Sequence, residues 1–226
     1  MTDPTGGMVL PAGVPLFPLP NVVLFPRAVL PLHIFEERYK RMTFDVLEAG
    51  HRQIAMALLR GGWEKDYYGR PAIEPVVCVG TILSHERLAD GRYNFLLQGH
   101  TRARVVREVG GTATPYREAE LEPLHETDWA EGGLAAARER LVEMFERPSY
   151  ATLPGSDQIR QILGSRLPTA AVADLLAFNV LPEEQVALKQ SLLAEADVKR
   201  RVWRTVDAVA ALQPAWQNTP GDARLN

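Results

Sequence analysis

Cysteine is nearly missing from this sequence, neither sign of charge is in large excess, and no apolar run reaches membrane-spanning length. A single cysteine among 226 residues, Cys78, cannot close an internal disulfide or build a thiolate cluster, and its setting in "VVCVG" reads as a small residue of a buried strand. With 25 basic against 28 acidic side chains the formal net charge is -3, so the chain lacks the broad cationic footprint of a nucleic-acid protein. Nucleic acid is therefore not expected as its main partner. The N-terminus "MTDPTGGMVLPAG" has neither a basic leader nor a long apolar stretch, which predicts no signal peptide, no membrane association and a cytoplasmic location.

The common catalytic signatures are missing too. No glycine is followed by lysine, which rules out a Walker A phosphate loop, and no G-x-G-x-x-G cradle is present. No H-E-x-x-H occurs; His33 and Glu37 at helical spacing are more readily a packing contact than a metal site. No serine sits in a G-x-S-x-G elbow, and Ser191 is two residues from Lys189, a spacing that points the two side chains apart on a helix. Glu36-Glu37 and Glu183-Glu184 stand where helices begin and meet the positive end of the dipole there. The expectation is a non-enzymatic binding protein with no cofactor and no metal.

What is present is enough apolar residue, 46%, to bury a real core in one composite domain or two small ones. "LFPLPNVVLFPRAVLPLHIFEERY" (16–39) sets Pro18, Pro20, Pro26 and Pro31 among β-branched and aromatic residues. Proline gives no amide to a ladder, so this lead reads as kinked, edge-forming strand rather than a regular central one. Phe35, Tyr39, Met42 and Val46 then follow at helical spacing up to Gly50, with Phe35 and Tyr39 expected to pin that helix to the sheet. Strands are predicted over 52–59, 75–83, 91–99, 101–109 and 116–124, with Asp90-Gly91 as a tight hairpin turn. Arg102, Arg104 and Arg107 alternate with apolar residues, which predicts one wet strand face; a basic stripe for RNA is the sharper alternative.

Beyond Leu124 the period turns helical. Asp128 and Glu131 resemble a capping box ahead of Leu134, Ala137, Leu141 and Phe145, and short helical segments follow at 157–163, 169–180 and 183–196. Asp197 is placed to cap a last helix whose stripe is Val198, Val202, Val206, Val209 and Leu212. This gives a tail over 1–12, a β-rich part over 13–124, a helical part over 125–212 and a second loose tail over 213–226 containing Trp216.

Several blocks in order resemble the N-terminal domain of Lon proteases: "VPLFPLPNVVLFPRAVLPLHIFEERYKRM", "VGTILSHERLADGRYNFLLQGHTRARV", "PYREAELEPL" and "ADLLAFNVLPEEQVALKQSLLAEADVKRRV". The resemblance implies an α+β fold, a PUA-like twisted β pseudo-barrel followed by a helical bundle. It also implies capture of unfolded or partly unfolded protein segments, with or without a protease acting in trans, and no ATPase or protease motif accompanies it in this sequence. Arg27 stands where that family often has glycine, and Glu37 where it often has proline. Because PUA-like folds also serve RNA, an RNA-linked factor is the second reading. For the peptide-binding surface the loop "RGGWEKDYYGRP" (60–71) is the candidate, with Trp63, Tyr67 and Tyr68 as ring anchors and Arg60 and Arg70 as guiding charges. The plainer alternative is that these rings cover one mouth of the barrel.

Overall fold

The prolines of the lead sit where no amide is needed, and this decides the topology around them. In the computed structural model, which describes residues 10–109, 114–127, 129–151, 153 and 155–212, β1 (Val14–Leu19) pairs in parallel with β3 (Gln53–Leu58) and antiparallel with β6 (Arg117–Pro123). β1 is thus an interior strand, not the edge expected from its prolines. The pairing is staggered: β6 meets Val14, Pro15 and Leu16, whereas β3 meets Leu16 to Leu19. The Leu19 carbonyl accepts from the Leu59 amide, so odd-numbered residues of β1 address β3 and even-numbered ones address β6. Pro15 therefore aims its missing amide at β3 before that pairing begins, and Pro18 aims its own at β6 after that pairing has ended. Both are tolerated in a central strand for this reason.

The remaining strands are β2 (Val29–Ile34), β4 (Val76–Arg87) and β5 (Tyr93–Glu108), in the order β2-β5-β4-β3-β1-β6. A further β5–β6 pairing closes β5, β4, β3, β1 and β6 into a ring around Val14, Leu16, Ala55, Val77, Val79, Ala103 and Ala119. β5 is one long strand across the two segments predicted for it. Its first half leaves the ring with the second half of β4 and with β2, making a three-stranded arm whose hairpin turns at Gly91 with φ +82. β2 is the edge of that arm, and since Ala28 offers its carbonyl to Gly99, Pro31 turns its missing amide outward.

α1 (Glu37–Glu48) follows β2 with Glu36 as N-cap. Glu37 is its first residue, a position proline also suits, and it pairs there with Lys40. Tyr39 packs on Phe17 with ring centroids 4.4 Å apart. Phe35 does not pin the helix: it lies before the cap, outside the helical period, and is 63% exposed.

Contacts divide the chain into two units. The first comprises the β-rich part through His125 together with Pro182–Ala196, and the second comprises Glu126–Leu181 and the segment from Asp197. Within the first, α6 (Val186–Leu193) belongs to the strands: Gln190 donates its side-chain amide to the Val76 carbonyl at 2.8 Å, and Arg102 Nε donates to the Leu193 carbonyl at 3.0 Å. The expected run of 125–212 as one helical part is interrupted there. The second unit holds α2 (Ala135–Glu146), α3 (Pro148–Ala151), α4 (Ser156–Gly164), α5 (Thr169–Asn179) and α7 (Val198–Ala211). Asp197 caps α7 by accepting from the Arg200 amide, and Val198, Val202, Val206 and Val209 are buried. Asp128 of the expected capping box lies outside the described residues, while the Glu131 carboxylate accepts from the Thr169 amide at the start of α5.

Candidate functional site

Gly62, with φ +87, turns the chain into the short 3-10 helix Trp63–Asp66 of the loop after β3. Trp63 and Tyr67 meet edge to face with centroids 5.6 Å apart, and Tyr67 meets Tyr68 at 5.2 Å. Only Tyr68 stands free of cover, at 88% exposed; Trp63 and Tyr67 are half-buried.

The loop is fastened to the start of α1. The Tyr67 hydroxyl donates to Glu36 Oε1 at 2.7 Å, Arg38 Nε donates to the other Glu36 oxygen at 3.0 Å, and Arg38 Nη1 reaches the Tyr67 carbonyl at 3.4 Å. The Arg38 guanidinium carbon lies 4.6 Å from the Tyr39 ring centre, 5.0 Å from Tyr67 and 5.9 Å from Tyr68. Partial burial, reinforced by the Glu36 carboxylate, raises the Tyr67 pKa, so the phenol stays protonated and keeps donating. Sequence reasoning missed Glu36 and Arg38 because thirty residues separate them from the loop they hold.

Four of the five predicted loop residues divide between two clefts. Arg60, 3.4 Å from Glu74, and Trp63 line one of about 450 Å³ with Leu58, Pro75 and the α6 residues Val186 and Gln190. Tyr68 and Arg70 line a smaller one of about 250 Å³, with Arg70 3.9 Å from Glu108. Tyr67 does not present itself; it holds the other two rings in place. Trp216 lies outside the described residues.

The basic stripe is not assembled. Arg102 is only 4% exposed beneath α6, Arg107 is paired with Glu120 at 2.7 Å, and a bulge between Val105 and Arg107 breaks the alternation. Sequence reasoning also missed the arm, where Val29, Leu83 and Leu96 are exposed beside a cleft of about 460 Å³ lined by Pro31, Ser84 and Phe95. "VLPLHI" lies in the lead expected to form kinked edge strand, and as β2 it is covered on one face while Val29, Pro31 and His33 stay exposed on the other. Among the described residues no cluster of three or more His, Cys, Asp and Glu could hold a metal, and no helix is long and apolar enough to cross a membrane.

A β pseudo-barrel carrying a projecting arm and an aromatic loop, accompanied by a set of helices, defines an α+β domain of the Lon N-terminal type. The chain belongs to the family of the ATP-dependent protease La (LON) substrate-binding domain, whose model matches residues 13–211. It is 25% identical to the Lon protease of Desulfosudis oleivorans over 85% of this chain and 23% of that protein. It is 30% identical to Lon protease 2 of Syntrophobacter fumaroxidans over 78% of this chain and 22% of that protein. The chain thus spans less than a quarter of the length of these relatives. Among solved structures, the N-terminal domain of the Mycobacterium avium complex Lon protease matches with a TM-score of 0.66 at 18% identity, over 88% of this chain and 98% of that one. The Lon N-terminal domain protein from Xanthomonas campestris matches with a TM-score of 0.59 at 24% identity, over 86% and 97%.

Proposed function

We propose that this chain is a polypeptide-binding module that recognises unfolded or partly unfolded protein segments without catalysing a reaction on them, in a cytoplasmic setting and in partnership with a protease acting in trans. The family of its matching domain supports the reading. The observation that carries it is the presentation of the loop: Tyr67 is tied to Glu36, and the fixed loop offers Tyr68 to solvent and Trp63 to the larger cleft. Rings held in place before binding lose little freedom on contact, and such anchors dominate interface energetics. Arg60 and Arg70 flank them.

The test is binding of the purified chain to a chemically unfolded model protein and, in parallel, to single-stranded RNA, at low and moderate salt. Capture of the unfolded protein that persists as salt rises supports the reading, whereas RNA capture that collapses with salt replaces it with the RNA-linked one. Trp63→Ala with Tyr68→Ala is expected to weaken capture about tenfold or more with the melting temperature kept. Tyr67→Ala is the wrong probe, since it loosens the loop itself. Leu83→Ser with Leu96→Ser asks whether the arm shares the contact. Unchanged affinity in the ring variant places the contact outside the loop.

A further inference from the structure

The smaller cleft holds a chemistry that ring anchoring does not use. Its lining comprises Arg38, Arg70 and Arg117, the three tyrosines Tyr39, Tyr68 and Tyr116, and Thr114 with Pro18, Gly69 and Pro115; no carboxylate lines it. Two of the guanidiniums are fixed from outside the lining. Arg117 Nε donates to Glu108 at 3.0 Å and Nη1 to the Pro71 carbonyl at 2.8 Å; Arg38 is held by Glu36 and the tyrosine rings. Tyr39 is 3% exposed, lines the cleft, and its hydroxyl donates to none of the described residues. Burial raises its pKa far above the ordinary phenol value, so it remains a donor across the physiological range. Because Tyr39 lines the cleft, its hydroxyl is left to water or a ligand there as its acceptor.

We propose that this cleft is a carboxylate-recognition site, in which the carboxylate of an acidic side chain or of a chain terminus accepts from the Tyr39 hydroxyl and the Arg38 and Arg70 guanidiniums. Arginine suits a planar carboxylate, and a volume of about 250 Å³ admits one short side chain or terminus and little more. The surroundings set the charge of the ligand. Glu36 and Glu108 stand behind the arginines, Asp45 is paired with Arg41 and accepts from Tyr116, Asp66 accepts from the Arg70 amide, and Glu118 lies 3.5 Å from Thr114. A dianionic phosphate would be repelled by these groups about twice as strongly as a single carboxylate. Selection comes from directed donors rather than from a positive field. The source of the carboxylate rests on the polypeptide-binding reading; the chemistry of the cleft does not.

The experiment follows the Gly69 and Thr114 amide resonances of the full chain during titration with N-acetylglycine as a terminal carboxylate, N-acetylglutamic acid α-methylamide as a side-chain carboxylate, the two corresponding amides, and inorganic phosphate. The expected result is saturable shifts with one or both carboxylates, the stronger identifying the source, and none with the amides. Tyr39→Phe should lose about tenfold in carboxylate affinity while the melting temperature stays or rises, because a hydrogen bond to a charged group is lost and no internal bond is broken. Amides that shift the resonances equally, phosphate that binds more tightly, or a Tyr39→Phe protein that binds carboxylate undiminished would each overturn the proposal. Small-carboxylate binding without capture of unfolded protein would sink the polypeptide reading and leave the cleft; capture without carboxylate discrimination would do the reverse.

Discussion

The amide of Arg27 donates to the carbonyl of Gly99 at 2.7 Å while Arg27 holds φ +69. A residue with a side chain thus occupies the left-handed conformation that glycine takes without cost, at the position where the resemblance predicts glycine. The turn bears the strain of that conformation. Opposite it, a Cβ on Gly99 would stand 2.2 Å from the Phe25 carbonyl oxygen, so the approach of the two segments depends on that glycine. Arg27→Gly is expected to stabilise by about 1 kcal/mol, and Gly99→Ala to destabilise by about 1–3 kcal/mol or more, in urea denaturation. Equal midpoints for Arg27→Gly and the parent would contradict the strain.

Arg102 is buried with its Nε on the Leu193 carbonyl, and it joins α6 to the strands. Arg102→Ala removes a charged donor from a buried acceptor and should cost about 2–3 kcal/mol. Native-state hydrogen exchange should show the α6 amides losing protection first. An exposed arginine of a nucleic-acid stripe would cost almost nothing.

Asp197→Ala takes the acceptor from the Arg200 amide at the head of α7 and should cost about 1 kcal/mol. Asp197→Asn, which keeps an acceptor, should recover most of it. Thermal melts of the three proteins decide.

Acid should weaken the fold through His51 and His100, whose pKa values burial lowers. Once the pH drops below about 6.5, the unfolded chain takes up protons that the folded chain refuses, so stability falls with pH and recovers on return to neutrality. His51 has a second reason, since its Nδ1 accepts from the Gln53 amide at 3.1 Å and cannot do so once protonated. Replacing both histidines by glutamine should flatten the stability profile between about pH 7 and pH 5.

Local chemistry was readable in the sequence wherever one segment settled its own conformation. Asp90-Gly91 forms the predicted turn, Asp197 caps α7, and the valine stripe of α7 is buried, because each depends on neighbours within one or two turns. Features set by distant partners were not readable. β1 became central because β3 and β6 meet different halves of it, and Arg102 is buried because a segment ninety residues later covers it. Of the candidate loop, the aromatic character was visible; its division between two clefts and its attachment to Glu36 and Arg38 were not, since both depend on where α1 lies.

The two prolines of β1 also decide what the strand cannot do. Sliding β1 by one residue would exchange its two buried faces and set Phe17 where Leu16 packs inside the ring, which the core forbids. A two-residue slide preserves the faces and is the error that a strand apolar at every position invites. Moved one way, Pro15 would enter the β3 pairing with no amide to offer; moved the other, Pro18 would do the same toward β6. The prolines act as end stops on a slide, leaving one alignment in which every required donor is present. A chain with both replaced by valine would lose few native contacts and gain misaligned competitors, so the damage would surface in the yield of correctly folded protein rather than in the stability of what has folded.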